Sequence, residues 1–142
     1  MSWMPKKTVV VPFDFSDRSL PTVDTALELA EEASGVHVIH VLPTLEPTEP
    51  GVIWSSIDNS GRIHHAEEAI KKQLTDAKYQ GVNIDVEIGD PGHEVADYAK
   101  KVSAELIVLP SHGRTGIKRL LIGSVAERIV RLAHCPVLVL RD

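Results

Sequence analysis

Between Ser111 and Ser124 the chain reads Ser-His-Gly-Arg-Thr-Gly-Ile-Lys-Arg-Leu-Leu-Ile-Gly-Ser. Gly113, Gly116 and Gly123 permit positive φ and a close approach of backbone to a bound group. Gly123-Ser124 opens a predicted helix, whose first N–H groups have no intrahelical acceptor and whose dipole is positive at that end. Together these are the physical parts of an anion site, and of a phosphate site in particular. The Ser124 hydroxyl adds a donor to a phosphate oxygen or a ligand to a metal, and Arg114, Lys118 and Arg119 add positive charge nearby. From Ser111 to Arg131 there are five basic side chains and one acid, inside a chain of net charge −5. A local excess of this kind attracts a small anion, whereas the overall charge argues against nucleic acid as a partner.

Each of these residues also has a reading that needs no ligand. Ser124-Val125-Ala126-Glu127 is a capping box, in which Ser124 and Glu127 satisfy the helix start themselves. Gly113 and Gly116 serve equally as turn residues. Asp14, just after the first predicted strand, either meets a ligand or forms an Asx-turn. His112 either touches phosphate or makes a structural hydrogen bond, and Trp54 either stacks on a base or packs its loop down. Other chemistries lack their motifs. No lysine follows a glycine run as in a P-loop, and there is no GxGxxG fingerprint. His64-His65 is an adjacent pair without metal-ligand spacing, and no GxSxG elbow is present. No general base or nucleophile stands out beside the loop, so a true enzyme such as a nucleotidyl transferase is the least favoured reading.

The elements that must position these residues alternate. Thr8–Val11 reads as a strand and 19–34 as an amphipathic helix with Leu20, Val23, Leu27 and Ala30 on one face. Val36–Leu42 is a second strand. Residues 45–60, punctuated by Pro47, Pro50 and Gly51, read as a long mobile flap. A helix over 62–79 is predicted to bury Ile63, Ala66, Ile70, Leu74 and Ala77. Residues 82–88 alternate as a sheet-edge strand, and Asp90-Pro91-Gly92 turns into a short helix with Val95, Ala99 and Val102 inward. Residues 105–109 form a strand, 124–132 a helix and 137–140 the last strand. Strands separated by helices imply a mostly parallel sheet covered on both faces. In such sheets ligands sit beyond the carboxyl ends of the strands, which is where Pro12-Phe13-Asp14, Pro43 and the glycine-rich loop fall.

The 142 residues are the length of one domain spanning 1–142. No run approaches the roughly 18 apolar residues of a membrane span. The polar Met1–Lys7 segment leads into too short an apolar stretch for a secretory signal. A single cysteine, Cys135, excludes an internal disulfide and reads as a small buried hydrophobe. These features predict a cytoplasmic protein.

Over essentially its whole length the chain resembles the universal stress protein family. The residues that carry the resemblance are Val10-Val11-Pro12 with Asp14 and Ser16, His40-Val41, Gly89-Asp90-Pro91, and Glu105-Leu106-Ile107-Val108. It is strongest in Ser111-His112-Gly113-Arg114-Thr115-Gly116, Gly123-Ser124-Val125-Ala126-Glu127-Arg128 and Cys135-Pro136-Val137-Leu138-Val139. The ATP-binding branch of that family looks like Gly, two residues, Gly, nine residues, then Gly-Ser or Gly-Thr. Gly113 and Gly123-Ser124 match this spacing, while the leading glycine is replaced by Pro110, which has no N–H.

The resemblance implies an α/β fold of the adenine nucleotide alpha hydrolase-like type: an open five-stranded parallel sheet, order 3-2-1-4-5, with helices on both faces. It implies ATP, with Mg²⁺ on its phosphates, bound by Pro12, Asp14, Val41, Ser111, Gly113, Gly123, Ser124 and Val125. In that set Asp14 and the Val41 backbone meet adenine or ribose, and Ser111, Gly113, Gly123, Ser124 and Val125 line ribose and phosphates. It implies a homodimer paired through the last strand, a role in stress adaptation or signalling, and ATP that is retained with at most slow hydrolysis. The alternative within the same family is a nucleotide-free dimeric interaction protein.

Overall fold

In the computed structural model, residues 3–45, 58–113 and 122–141 are described. Five strands form one parallel sheet: β1 (Val9–Pro12), β2 (Val36–Leu42), β3 (Asn83–Ile88), β4 (Leu106–Pro110) and β5 (Val137–Leu140). Their order is β3-β2-β1-β4-β5. The helices are α1 (Ser19–Leu29), α2 (Asn59–Gln73), α3 (Pro91–Lys101) and α4 (Ser124–Leu132). Among these residues no helix is long and apolar enough to cross a membrane.

β1 and β4 sit at the centre and are buried on both faces, which is why they read as unbroken apolar runs. Alternate residues feed two separate cores. Val9, Val11, Val38 and Val108 pack with Val23, Ala26, Ala66 and Ile70 of α1 and α2. On the opposite face Val10, Ile39, Ile107 and Leu109 pack with Val95 and Ala99 of α3 and Ala126 and Ile129 of α4. Strand β3 is an edge, as its alternation predicts. The phenol of Tyr98 on α3 donates to Asp85 of β3, and His37 Nδ1 lies 3.2 Å from the same phenol oxygen. Burial raises the Tyr98 pKa and lowers that of His37, the latter partly offset by the charge of Asp85.

Both of the longer helix expectations overreach at their ends. The first helix stops at Leu29 because Ala30 turns extended and bridges to Lys6. There Lys6 N donates to Leu29 O and Glu31 N to Lys6 O, each at 2.8 Å. The second helix starts earlier, at Asn59, because the Asp58 side chain accepts from Ser60 N. It ends at Gln73, and Asp76 then starts a separate short 3-10 turn by accepting from Lys78 N. A short acidic side chain bonding its own backbone competes with helix propagation. Ala77 is consequently exposed, and Tyr79 is buried in its place, donating to Asp24 Oδ1 at 2.7 Å. Of the expected flap, residues 46–57, with Trp54, lie outside the described residues.

The parallel ladder between β1 and β4 is short: only Val9↔Leu106 and Val10↔Ile107 pair. Phe13 N donates to Ile39 O, so Val9, Val11 and Phe13 turn their peptide groups to β2, and Val10 and Pro12 turn theirs to β4. Likewise Ile107 N donates to Pro136 O and Ser111 N to Leu140 O, so Val108 and Pro110 turn theirs to β1. The next rungs would need N–H groups from Pro12 and Pro110, and proline has none. β1 and β4 separate there, at the point where the strand order reverses.

A test of the packing concerns Gly35, at the entry to β2. A Cβ there would lie 2.0 Å from Lys7 O, a backbone atom that cannot move aside. Gly35→Ala should lower the unfolding free energy by about 1–3 kcal/mol, the scale of an overpacked site. A urea transition with an unchanged midpoint would refute this.

Candidate functional site

Where β1 and β4 part, a cavity of about 530 Å³ opens at the carboxyl end of the sheet, on the α3–α4 face. Its floor is aliphatic, made by Ile39, Val41, Val95, Leu109 and Ile129. Pro12 and Pro110 stand at the split itself, and Pro43 and Pro91 border the opening.

Seven of the eight expected site residues line this one cavity: Pro12, Asp14, Val41, Gly113, Gly123, Ser124 and Val125. Ser111 does not. It is buried behind the wall, where its N–H donates to Leu140 O and its carbonyl accepts from Gly123 N at 2.6 Å. That bond closes the neck of the glycine-rich loop. Beside it the Ser111 hydroxyl lies 3.3 Å from His112 Nδ1, the structural contact that the sequence offers as one option for His112. Among the described residues, buried His112 Nε2 has no hydrogen-bond partner. Arg114, Lys118 and Arg119, and Gly116 with them, lie outside the described residues.

The capping box is not formed. Gly123 is the N-cap of α4, Ser124 is its first helical residue, and no side chain caps the end. Glycine in an extended conformation ends the preceding segment without supplying an acceptor, so Ser124 sits one position too late to cap. The first intrahelical bond is from Glu127 N to Gly123 O, at 2.9 Å. The N–H groups of Ser124, Val125 and Ala126 therefore have no acceptor within the helix, and all three residues line the cavity. The basic residues further along α4 are engaged elsewhere. Arg128 pairs with Asp90 at 2.9 Å and Arg131 pairs with Glu127. Asp90 also caps α3 by accepting from His93 N; this bond, with Arg128, holds its carboxyl below the usual range.

Asp14 makes the Asx-turn: its Oδ1 accepts from Ser16 N at 3.0 Å and from the Ser19 hydroxyl at 2.9 Å. Ser19 in turn accepts from Asp14 N at 3.1 Å. This turn carries Phe15 at φ 64, an uncommon conformation for a bulky residue. The other oxygen faces the glycine-rich loop, and a Cβ on Gly113 would stand 2.6 Å from Asp14 Oδ2. Gly113 is thus glycine because the carboxylate occupies the space of its side chain. Among the described lining residues, Asp14 is the one with a charged side chain.

The floor has no signature in the sequence. Ile39, Leu109, Val95 and Ile129 look like ordinary core positions, and only the place of Leu109, one residue from the end of β4, hints at a cavity. Cys135, half-buried, packs beside the α3–α4 core with its thiol pKa raised by burial, so it is a packing residue.

Comparison with known proteins bears on the family and the fold. The pattern of the Universal stress protein family matches residues 6–141. The chain is 38% identical over 141 residues to universal stress protein MJ0531 of Methanocaldococcus jannaschii, covering 95% of this chain and 82% of that protein. The solved structure of MJ0577, from the same archaeon, superposes with a TM-score of 0.72 at 27% identity, covering 96% of each chain. A universal stress protein of Archaeoglobus fulgidus, solved in complex with dAMP, shares the fold at a TM-score of 0.55 and 24% identity, covering 96% of this chain and 98% of that one. The chain belongs to the universal stress protein family.

Proposed function

We propose that this chain is an ATP-binding member of its family, acting in stress response or signalling in the cytoplasm, and that the nucleotide lies in the cavity at the β1–β4 split. The observation that carries this reading is the division of the cavity into three chemically distinct parts. On the β4 side are the N–H groups at the start of α4, which have no acceptor within the helix, and the two glycines, a fit for phosphate. The floor is aliphatic, a fit for the faces of a base. On the β2 side is the peptide of Val41.

The Val41 peptide follows from strand alternation. Leu42 O accepts from Gly89 N and so faces β3, while Ile39 O accepts from Phe13 N and faces β1. Val41 therefore faces β1, where the ladder has ended at Pro12↔Ile39. One N–H and one C=O side by side match the ring nitrogen and exocyclic amine of adenine. Guanine presents the opposite pattern at those positions.

ATP fits the donor set without a dedicated cation cage: among the described residues no group of three or more His, Cys, Asp or Glu side chains is placed to hold a metal. Mg²⁺ would ride on the phosphates, supplying charge neutralisation. The dAMP bound by the Archaeoglobus protein is the same ligand class. Pro110 removes one possible donor and leaves those of α4 in place.

We also propose a homodimer through β5. This strand is a sheet edge, Leu138 is 36% exposed, and Val130 and Leu132 of α4 are 46% exposed. Unpaired apolar edges are ordinarily covered.

Three measurements test these readings. Calorimetry should detect ATP binding in the presence of Mg²⁺, and Ser124→Pro should weaken it about 10- to 100-fold, the scale of a hydrogen bond to a charged group. Proline is tolerated at a first helical position, and Gly123 already has the extended conformation, φ −74 and ψ 164, that must precede it. Melting should therefore change little, and adenosine, which lacks phosphate, should bind both proteins alike. Absence of ATP binding by the natural protein would place the chain in the nucleotide-free branch. Asp14→Ala should reduce both stability, by about 1–2 kcal/mol through loss of the Asx-turn and the Ser19 bond, and adenosine affinity, by about ten-fold. An affinity equal to that of the natural protein would exclude Asp14 from the site. Finally, light scattering at micromolar concentration should report a dimer, and a monomer for Val139→Pro. The peptide of Val139 faces away from β4, so this change removes an edge donor and leaves the internal ladder intact. A monomeric natural protein would remove the proposal.

A further inference from the structure

We infer that His40 is the positioning residue that ends the β1–β2 ladder and thereby keeps the Val41 peptide available to a ligand. The inference rests on the adenine-nucleotide reading above for its consequence, but its structural part stands alone. In a regular parallel ladder the bond from Phe13 N to Ile39 O is followed by one from Val41 N to Phe13 O. The first of these is present, at 2.8 Å. At the second position Phe13 O instead faces His40 Nδ1 at 2.6 Å. A carbonyl oxygen only accepts, so the imidazole carries its proton on Nδ1 and donates it.

At Phe13 O the side chain of His40 thus stands where the backbone N–H of the next residue would donate, and Val41 N makes no bond to that oxygen. Val41 N–H is left pointing past the end of β1, on the rim of the cavity it lines. Several contacts keep the ring in this place. Phe15 packs edge-on against it, with centroids 4.8 Å apart at 76°, and Phe13 packs edge-on against Phe15 at 5.1 Å and 89°. Phe15 reaches that position through its left-handed backbone, which the Asp14–Ser16 turn supports. The two residues at the ends of this arrangement, Asp14 and Val41, are both in the cavity wall. His40 therefore links the β1–α1 turn to the end of β2 and sets the separation of the two groups proposed to meet base and ribose.

The test compares His40→Leu, which removes the donor, with His40→Asn, whose side-chain amide stands where Nδ1 does. The first readout is hydrogen exchange of the Val41 amide in the ligand-free protein, followed by NMR on the full chain. In the natural protein this amide should exchange quickly. In His40→Leu it should be protected at least about ten-fold, because Phe13 O is again free to accept it. His40→Asn should restore fast exchange. The second readout is adenosine affinity by calorimetry, expected to fall about ten-fold in His40→Leu and to recover in His40→Asn. A merely structural role would lower the melting temperature without moving Val41 exchange in this direction. Equal Val41 exchange in the natural and leucine proteins would overturn the inference, whatever the ligand. If His40→Leu does not fold, His40→Gln displaces the donor instead and is read the same way. Should the natural protein bind neither adenosine nor ATP, the nucleotide reading fails, and the exchange comparison still decides the role of His40.

Discussion

The pairing of β1 with β4 cannot continue past Val10 and Ile107, because the two residues that would donate the next hydrogen bonds are Pro12 and Pro110. Everything at the carboxyl end of the sheet depends on that interruption. β1 stays bonded to β2 as far as Pro12, and β4 stays bonded to β5 as far as Pro110, so each half of the sheet is intact to its edge. Only the seam between the halves opens. Proline is tolerated in these central strands because it stands at the end of each, with its missing donor turned to the seam. An ordinary residue at either position would leave an N–H to be satisfied by the facing strand or by something bound between them.

The opening becomes a cavity because of where the helices go. After β1 the chain turns through Asp14 and Ser19 to the α1–α2 face, and after β4 it turns through the glycine-rich loop to the α3–α4 face. Asp14 and the loop meet across the seam at Gly113. On the α3–α4 face, α3 is held to the sheet by Tyr98 and Asp85, and to α4 by Asp90 and Arg128. Gly92 allows the second contact, since a Cβ there would lie 2.7 Å from the Arg128 side chain. These contacts keep two helix starts side by side above an aliphatic floor. The result is an apolar cavity with polar backbone groups at its rim, the usual make-up of a small-molecule site.

Leaving backbone donors unpaired beside such a cavity carries a cost, which the surrounding residues hold to a few groups. Phe13 O is satisfied by His40, Ser111 O by Gly123 N, and Asp14 N by Ser19. Among the described residues, the groups left without an acceptor include the N–H of Val41 and the first N–H groups of α4. They fall on the two sides of the seam, which is why a ligand with an apolar plane and a separate anionic end suits the site. A capping side chain at Gly123 would have competed for the α4 donors, and none is present.

Several features are legible in the residues alone. The class of the fold follows from apolar runs alternating with amphipathic helices, and the edge position of β3 from its period of two. The family and the strand order follow from motifs of fixed spacing, and seven of the eight residues expected at the site do line one cavity. These are properties of local sequence, or of spacings that a whole family shares. Only the tertiary structure decides the rest. That Ser124 follows the cap and does not form it, that Ser111 closes the loop neck from behind the wall, and that 74–79 leaves the helix all depend on which partner wins for each backbone group. The floor of Ile39, Val95, Leu109 and Ile129 comes from four separate elements and has no signature in any of them. The same holds for His40: its neighbour Val41 is suggested by the motif, but the competition between a side chain and a peptide for Phe13 O exists only once residues 27 apart in the chain are side by side. Sequence specifies which groups are apolar, polar or without a donor, whereas the pairing of donors and acceptors across strands is set by long-range geometry.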